Sequence, residues 1–421
     1  MERHKIPAIP VLRQLLPNGV VLLISGNPKI PLVHVNVVVR CGTAENPPSR
    51  PGLASLMTRM FDEGTSRFSH QQIAETIENL GGSLTTFSNR ELSGVSVSVL
   101  SKDLQKGIDL AHAVITDPVF PADRLELEKE KVVNHIRSSN DNPQFVASNE
   151  FNRLIYRHPV GEPIQGDEHS VGVATSKELL EFHQKTFSPK NTLIAMVGAV
   201  EPEQGAALLS ERFSKWQNDG FTFPPVPALD RAPRKLLKEI SMPKEQIHIY
   251  LGHLGIDRRD PDYYALQVMD IILGGGPGFT SRIPAKLRDQ QGLAYTTYCD
   301  IASSAGLYPG RFVAFISTSP GNRDKALDGL IGEIKSLVDH GITDNELHDA
   351  QSYLTGNFVF DFQSNGHVAR FLLSAELFHL GFDFLDHYPR IIREITKANV
   401  EQVARKHIDP ENCTTVIAGA V

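Results

Sequence analysis

Spacing of apolar residues divides the chain into short elements. Apolar runs at Val20–Ser25 and Val33–Arg40 predict a pair of strands. In RPGLASLMTRMFDEGT, Leu53, Leu56, Met57 and Met60 fall at i, i+3, i+4 and i+7, the buried stripe of an amphipathic helix near 52–62. Ser55, Thr58 and Arg59 fall on another face of that helix. A short helix is predicted at Ser69–Leu80, where Ser69 and Gln72 have the spacing of a capping box. Alternating residues predict strands at Ser83–Phe87 and Leu92–Val99, then longer helices at Leu104–Ile115 and Asp123–Ser138. A strand at Leu193–Gly198 closes the series.

The series occurs twice. KTFSPKNTLIAMVGAV, ending at Val200, matches KHIDPENCTTVIAGAV, ending at Val421. Lys185, Pro189, Asn191, Gly198, Ala199 and Val200 recur as Lys406, Pro410, Asn412, Gly419, Ala420 and Val421, a displacement of 221 positions in every case. That is far beyond the period of a solenoid repeat. Upstream, PLVHVNVVVRCG echoes QIHIYLGHLG, which puts His34 and His248 at equivalent strand positions and reads them as inherited packing. VFPADRLELEKEKV likewise parallels GITDNELHDAQSYL. The four prolines of Phe221–Arg234 mark a linker. The expected organisation is therefore α+β, with two tandem homologous domains at 1–220 and 235–421 joined by 221–234. Each is expected to be a mainly antiparallel sheet with helices packed on one face.

Composition narrows the function classes. With 41% hydrophobic and 22% charged residues the chain is globular rather than disordered. A formal charge of −7, from 42 basic and 49 acidic residues, speaks against nucleic acid or an anionic membrane as partner. Cys41, Cys299 and Cys413 are few, odd in number and far apart, so neither a disulfide framework nor a thiolate zinc site is expected. The N-terminal MERHKIPAIPVLRQ is broken by prolines and is not read as a signal peptide. No apolar run approaches the roughly 20 residues that span a bilayer. A cytoplasmic location is the resulting expectation.

Chemistry enters through the helix near 52–62. GLASLMTRMFDEGT resembles the segment of pitrilysin/insulinase-type zinc peptidases, the mitochondrial processing peptidase among them, that reads GLAHxLEHMxxxGT. In that inverted motif two histidines bind zinc and the glutamate between them activates water. The corresponding positions here are Ser55, Thr58 and Arg59. A serine is a poor zinc ligand, threonine is no base near neutral pH, and a guanidinium repels the ion. The family's third ligand is a glutamate on a later helix, where this chain has KVVNHIRSSNDNP, with Asn134 and His135 in its place. The resemblance thus implies a degenerate metal site and no metal in this chain. No H-E-x-x-H and no G-x-S-x-G offers a substitute. The glycine-rich run Gly274-Gly275-Gly276-Pro277-Gly278 lacks a phosphate-loop ending. It reads as a helix stop with a turn or, by the resemblance, as a loop near a substrate chamber.

The second half keeps what the first has lost. In SRIPAKLRDQQGLAYTTYCD, Ile283 and Leu287 read as core residues of a helix ending near Gly292, followed by a strand Leu293–Cys299. Taken alone, Arg288 is a cation at a helix C-terminus and Tyr295 a half-buried strand aromatic. The segment is similar, however, to the family pattern L-R-x-x-x-G-L-A-Y, whose arginine and tyrosine hold the substrate carbonyl and stabilise its developing charge. By that likeness Arg288 and Tyr295 are the candidate catalytic residues, with Tyr298 a decoy on the opposite strand face. The resemblance, which runs from the LPNGVVLL strand to the terminal GAV, implies the non-zinc subunit of a bacterial heterodimeric metalloendopeptidase. Its partner is then a homologous zinc-bearing peptidase subunit, its substrate an unfolded peptide, and a homodimer is allowed where the partner is absent. The competing expectation is a catalytically inactive scaffold or interaction protein of the same fold.

Overall fold

A computed structural model of the chain describes residues 9–218, 226–231, 235–276 and 281–421. Most of the expected linker 221–234, and the glycine-rich run beyond Gly276, lie outside these residues. Two compact units form. The first comprises Met1–Arg137, Glu162–Pro225 and Val359–Leu385; the second comprises Ser138–Gly161, Val226–Phe358 and Asp386–Val421. Each unit draws mainly on one half of the chain, with one excursion from the other.

In the first unit six strands, β1 (Leu12–Leu15), β2 (Val21–Gly26), β3 (Leu32–Val39), β4 (Ser83–Ser88), β5 (Ser93–Leu100) and β6 (Thr192–Gly198), lie in the order β1-β2-β6-β3-β5-β4. All pairings are antiparallel except β2 with β6. Odd-numbered residues of β3, from Val33 to Val39, share one buried cluster with Leu53, Leu56 and Met57 of α1 (Leu53–Arg59) and with Met60 at its C-cap. The same cluster takes in Ile108 and Ala111 of α3 (Leu104–Thr116), which follows α2 (His70–Asn79). The predicted stripe is the stripe buried, and Ser69 caps α2 as expected by accepting from the Gln72 amide. The second face of the sheet is also covered: Leu23, Val38, Ala195 and Val197 bury against Val368, Ala369 and Leu372 of the helix Asn365–Leu377.

The second unit repeats this topology. β7 (Leu236–Ser241), β8 (Ile247–Leu254), β9 (Thr296–Asp300), β10 (Arg311–Thr318) and β11 (Thr414–Gly419) lie in the order β7-β11-β8-β10-β9, which matches the first sheet without β1, and the one parallel pair, β7 with β11, corresponds to β2 with β6. His34 pairs with Val197 in one sheet and His248 with Ala418 in the other, so the displacement of 221 read from the sequence is also a register. After α4 (Ala122–Asn140), which belongs mostly to the first unit, α5 (Pro143–Tyr156) packs on β8 and β11 of the second, with Phe151 and Tyr250 at 5.9 Å between ring centres. The expected strand Leu293–Cys299 starts only at Thr296. The preceding residues are used in a turn in which the Leu293 amide donates to the Leu287 carbonyl at 2.8 Å.

Burial inside these units has a pH consequence. His183, between the rings of Phe61, Phe120 and Phe187, binds the Ile115 carbonyl at 2.8 Å; His253 binds that of Leu254 at 2.9 Å. Burial lowers both imidazoles to about 4, from 6.5. Between those values the unfolded chain takes up protons that the folded chain refuses, so stability falls as pH falls below 6.5. The expected loss is about 2 kcal/mol per histidine between pH 7 and pH 5, read from urea midpoints. A His183→Asn variant keeps a donor but cannot titrate, and should lose correspondingly less.

Candidate functional site

The seven residues of α1 carry the degenerate motif beside the apolar stripe, and only Arg59 at the helix end is not buried. Ser55 is 9% exposed and Thr58 is buried, with its hydroxyl spent inside the helix on the Ala54 carbonyl at 2.8 Å. The Arg59 side chain is nearly half exposed, and its Nη1 stands 3.9 Å from Oε2 of Glu128 on α4. Glu128 is itself buried and also pairs with Lys131. Two turns along α4, Asn134 and His135 face solvent. The fold therefore places α1 beside α4, as the family motif requires, but the side chains present do not fit zinc. Two hydroxyls, one already engaged, and a guanidinium without a lone pair are no tetrahedral ligand set. The local carboxylate is matched instead by fixed protein cations.

Neighbouring charges are paired in the same way. Glu63, also buried, is held by Arg124 and approached at 3.3 Å by Nδ1 of His70. Asp62 beside it is pushed up, mainly by burial and then by the carboxylates of Glu63 and Glu128.

The second unit has two π-helical stretches, Ile271–Gly275 and Pro284–Gln290, the second where a helix ending near Gly292 was expected. Such wide turns are rare and concentrate at functional sites. The first continues the helix Tyr263–Asp270, and Gly274 lies so close to β9 that a Cβ there would come within 2.4 Å of the Cys299 amide nitrogen. Gly275 is exposed and Gly276 donates its amide to Ser281 Oγ at 2.9 Å. Gly275 thus ends the π-helical stretch, and Pro277 and Gly278 lie outside the described residues.

The second stretch carries Arg288, with Ile283 and Leu287 fully buried as predicted. Arg288 Nε lies 2.8 Å from Asp289 Oδ1, and the guanidinium holds that carboxyl below its ordinary range. Tyr295 is 83% exposed, which corrects the reading of a half-buried strand aromatic: the strand begins one residue later, so its ring has no sheet neighbours to lie against. Its amide still donates to the Ser317 carbonyl, at 3.2 Å, and so ties it to the end of β10. Tyr298 is a packing residue. It stacks on Phe315 at 5.0 Å, and burial together with Tyr250 raises its phenol. Arg288 and Tyr295 accordingly sit on adjoining elements at the β9 edge of the second sheet, linked by a turn with three backbone hydrogen bonds from Gln291, Gly292 and Leu293. A depression of about 680 Å³ lies between the second π-helical stretch and the helix Arg323–His340, lined by Lys286, Gln291, Leu293, Lys325, Asp328 and Glu333 but by neither Arg288 nor Tyr295.

Asp270 escaped the sequence reading. Wholly enclosed, it accepts the Ile301 and Ala302 amides at 2.9 Å each, fastening the base of the glycine-rich run to the end of β9. Burial and then Asp300 raise its carboxyl well above the ordinary range. A signal existed, since an acid in the last turn of a helix opposes the helix dipole and needs another partner.

Known proteins share this arrangement. Residues 21–168 match the family described as Insulinase (Peptidase family M16), and residues 174–354 match the Peptidase M16 inactive domain. An uncharacterised zinc protease of Mycobacterium leprae is 27% identical over 96% of this chain and 91% of its own length. One from Bacillus subtilis, YmxG, is 23% identical over 93% and 94%. Among solved structures, the peptidase M16 inactive domain from Pseudomonas fluorescens superposes with a TM-score of 0.91 at 25% identity, covering 98% of this chain and 99% of that one. A protease from Helicobacter pylori shares the fold with a TM-score of 0.89 at 17% identity, over 97% and 99%. The two matched segments account for most of the sequence, the whole-chain likeness accounts for the rest, and the chain belongs to peptidase family M16.

Proposed function

We propose that this chain is the non-zinc subunit of a heterodimeric metalloendopeptidase that cleaves flexible peptides. The observation that carries the reading is the pairing, in one chain, of a motif without zinc-ligand chemistry with a partly exposed arginine on a π-helical segment and an exposed tyrosine just beyond it. Serine, threonine and arginine stand at the ligand and base positions, and Arg59 sits against Glu128. A homologous partner of the zinc-bearing kind supplies the metal and the attacking water. Arg288 and Tyr295 supply donors aimed at the carbonyl oxygen as its charge develops, the electrostatic role that contributes most in acyl transfer. Guanidinium and phenol suit that role because neither has to move a proton at neutral pH.

The substrate is proposed to bind as an added strand. Among the described residues β4 and β9 are edge strands of their sheets, and main-chain pairing at an edge recognises extended peptides with little regard for sequence. All three cysteines are free and buried, which suits the reducing cytoplasm proposed as its location. Among the described residues no helix is long and apolar enough to cross a membrane.

Reconstitution tests the proposal. The purified chain alone should hydrolyse no quenched-fluorescence peptide and carry zinc well below one ion per chain. An equimolar M16 chain with an intact H-x-x-E-H motif, taken from the same cells, should restore hydrolysis. Unaided cleavage with stoichiometric zinc would sink the reading, and persistent silence with every such partner would leave the scaffold function.

A further inference from the structure

One cavity of the first unit involves neither the old metal positions nor Arg288 and Tyr295. It has a volume of about 540 Å³ and lies where the last turn of α3 meets the end of the helix Pro202–Phe213. That volume is in the range of small-molecule sites and far exceeds the needs of a bare ion. Its walls are already built. Asn18 Nδ2 donates to the Phe213 carbonyl at 2.7 Å and to the Trp216 carbonyl at 2.9 Å. Asn218 Nδ2 donates to the Gln184 and Phe187 carbonyls at 2.6 Å each, and Ser188 Oγ to the Asn218 carbonyl at 2.9 Å. The stretch after the helix is therefore fixed, although it belongs to no strand or helix, and it puts Trp216 into the lining together with Ala113 of α3.

Charge in the lining is unevenly used. Arg212 is spent on Asp109 and Glu211, at 2.5 Å from each. Asp117 accepts the Ser66 hydroxyl. Arg67 and Lys215 line the same cavity, and neither side chain has a carboxylate partner among the described residues. The Arg67 field is felt inside: after burial it does most to lower the His112 imidazole, which is neutral at pH 7. Two uncommitted cations against Asp117 leave one positive charge unanswered, so the matching ligand is a monoanion. A planar carboxylate meets a guanidinium through two parallel hydrogen bonds. Trp216 and Ala113 offer apolar surface to the group that carries it.

We propose that this cavity binds a small organic carboxylate, its charged end held by Arg67 and Lys215 and its apolar body resting against Trp216. The assignment is independent of the peptidase reading, and each can fail without the other.

Trp216 is the only tryptophan of the chain, so its emission reports the cavity directly. The purified chain is titrated with 3-cyclohexylpropionate, with the corresponding amide and with cyclohexyl phosphate, none of which absorbs where tryptophan does. The carboxylate should change the emission saturably, and the amide should bind about tenfold more weakly, the worth of a charge-assisted contact. Arg67→Gln combined with Lys215→Gln should erase that preference. The thermal midpoint should stay unchanged, because both side chains are exposed. Equal affinity for carboxylate and amide, a preference that survives in the double variant, emission indifferent to millimolar carboxylate, or tighter binding of the phosphate would each overturn the assignment.

Discussion

In the reconstituted pair, Arg288→Ala is expected to lower kcat by about 10²–10³, the cost of removing one preorganised donor from a developing oxyanion. Tyr295→Phe, which removes a single hydroxyl and keeps the ring, should cost the same order. Neither change should disturb the fold. Tyr295 is 83% exposed, and the Arg288–Asp289 contact joins two adjacent exposed side chains whose pairing adds little to stability. The affinity between the two subunits should stay as it is, which separates loss of chemistry from loss of assembly. Tyr298→Phe is the contrasting control. Its ring lies between strands and its hydroxyl is engaged with Tyr250, so the expected result is unchanged turnover with about 1 kcal/mol less stability. Full activity from both Arg288→Ala and Tyr295→Phe would reject the assigned roles.

The largest stability effect is expected from a single methyl group at the end of β6. Gly198 has φ +147°, and a Cβ there would come within 2.1 Å of the Leu32 carbonyl oxygen. Gly419, its counterpart at the end of β11, has φ +132° and meets the Gln246 carbonyl at the same 2.1 Å. Both obstacles are backbone atoms of a paired strand, which cannot turn aside as a side chain would. Gly198→Ala or Gly419→Ala should therefore cost roughly 2–5 kcal/mol, from backbone strain and forced separation of the strands. Gly332 sits in the helix Arg323–His340 with open space around it, and Gly332→Ala should stabilise by about 0.5–1 kcal/mol. Urea unfolding of the three variants measures all of this. Indifference at Gly198 would show that the strand end yields.

The same glycines show why the duplication was legible. Gly-Ala-Val recurs because each half closes its central strand against the same neighbour in the same register, and only glycine fits there. The core stripe of α1, the capping box at Ser69 and the buried pair Ile283 and Leu287 were equally readable, since each depends on periodicity or on contacts a few residues apart. The altered motif at Ser55, Thr58 and Arg59 was readable for a chemical reason: those side chains cannot do what histidine and glutamate do, wherever they are placed.

Contacts distant in sequence were not readable. Nothing local marks α5 as the cover of β8 and β11, or the helix Asn365–Leu377 as the cover of β3 and β6; each has an apolar face that any sheet would accept. Nor does a pattern of residues reveal that Arg59 reaches only to 3.9 Å from Glu128, that Asp270 fastens the turn after β9, or that Tyr295 falls one residue short of its strand. Periodicity and side-chain chemistry are properties of neighbouring residues, so the chain alone gave most element types, the twofold repeat and the absence of zinc-ligand chemistry at Ser55, Thr58 and Arg59. Which faces meet, and which charges remain only half-engaged, depends on burial between segments hundreds of residues apart, and that became definite only when the sheets had formed.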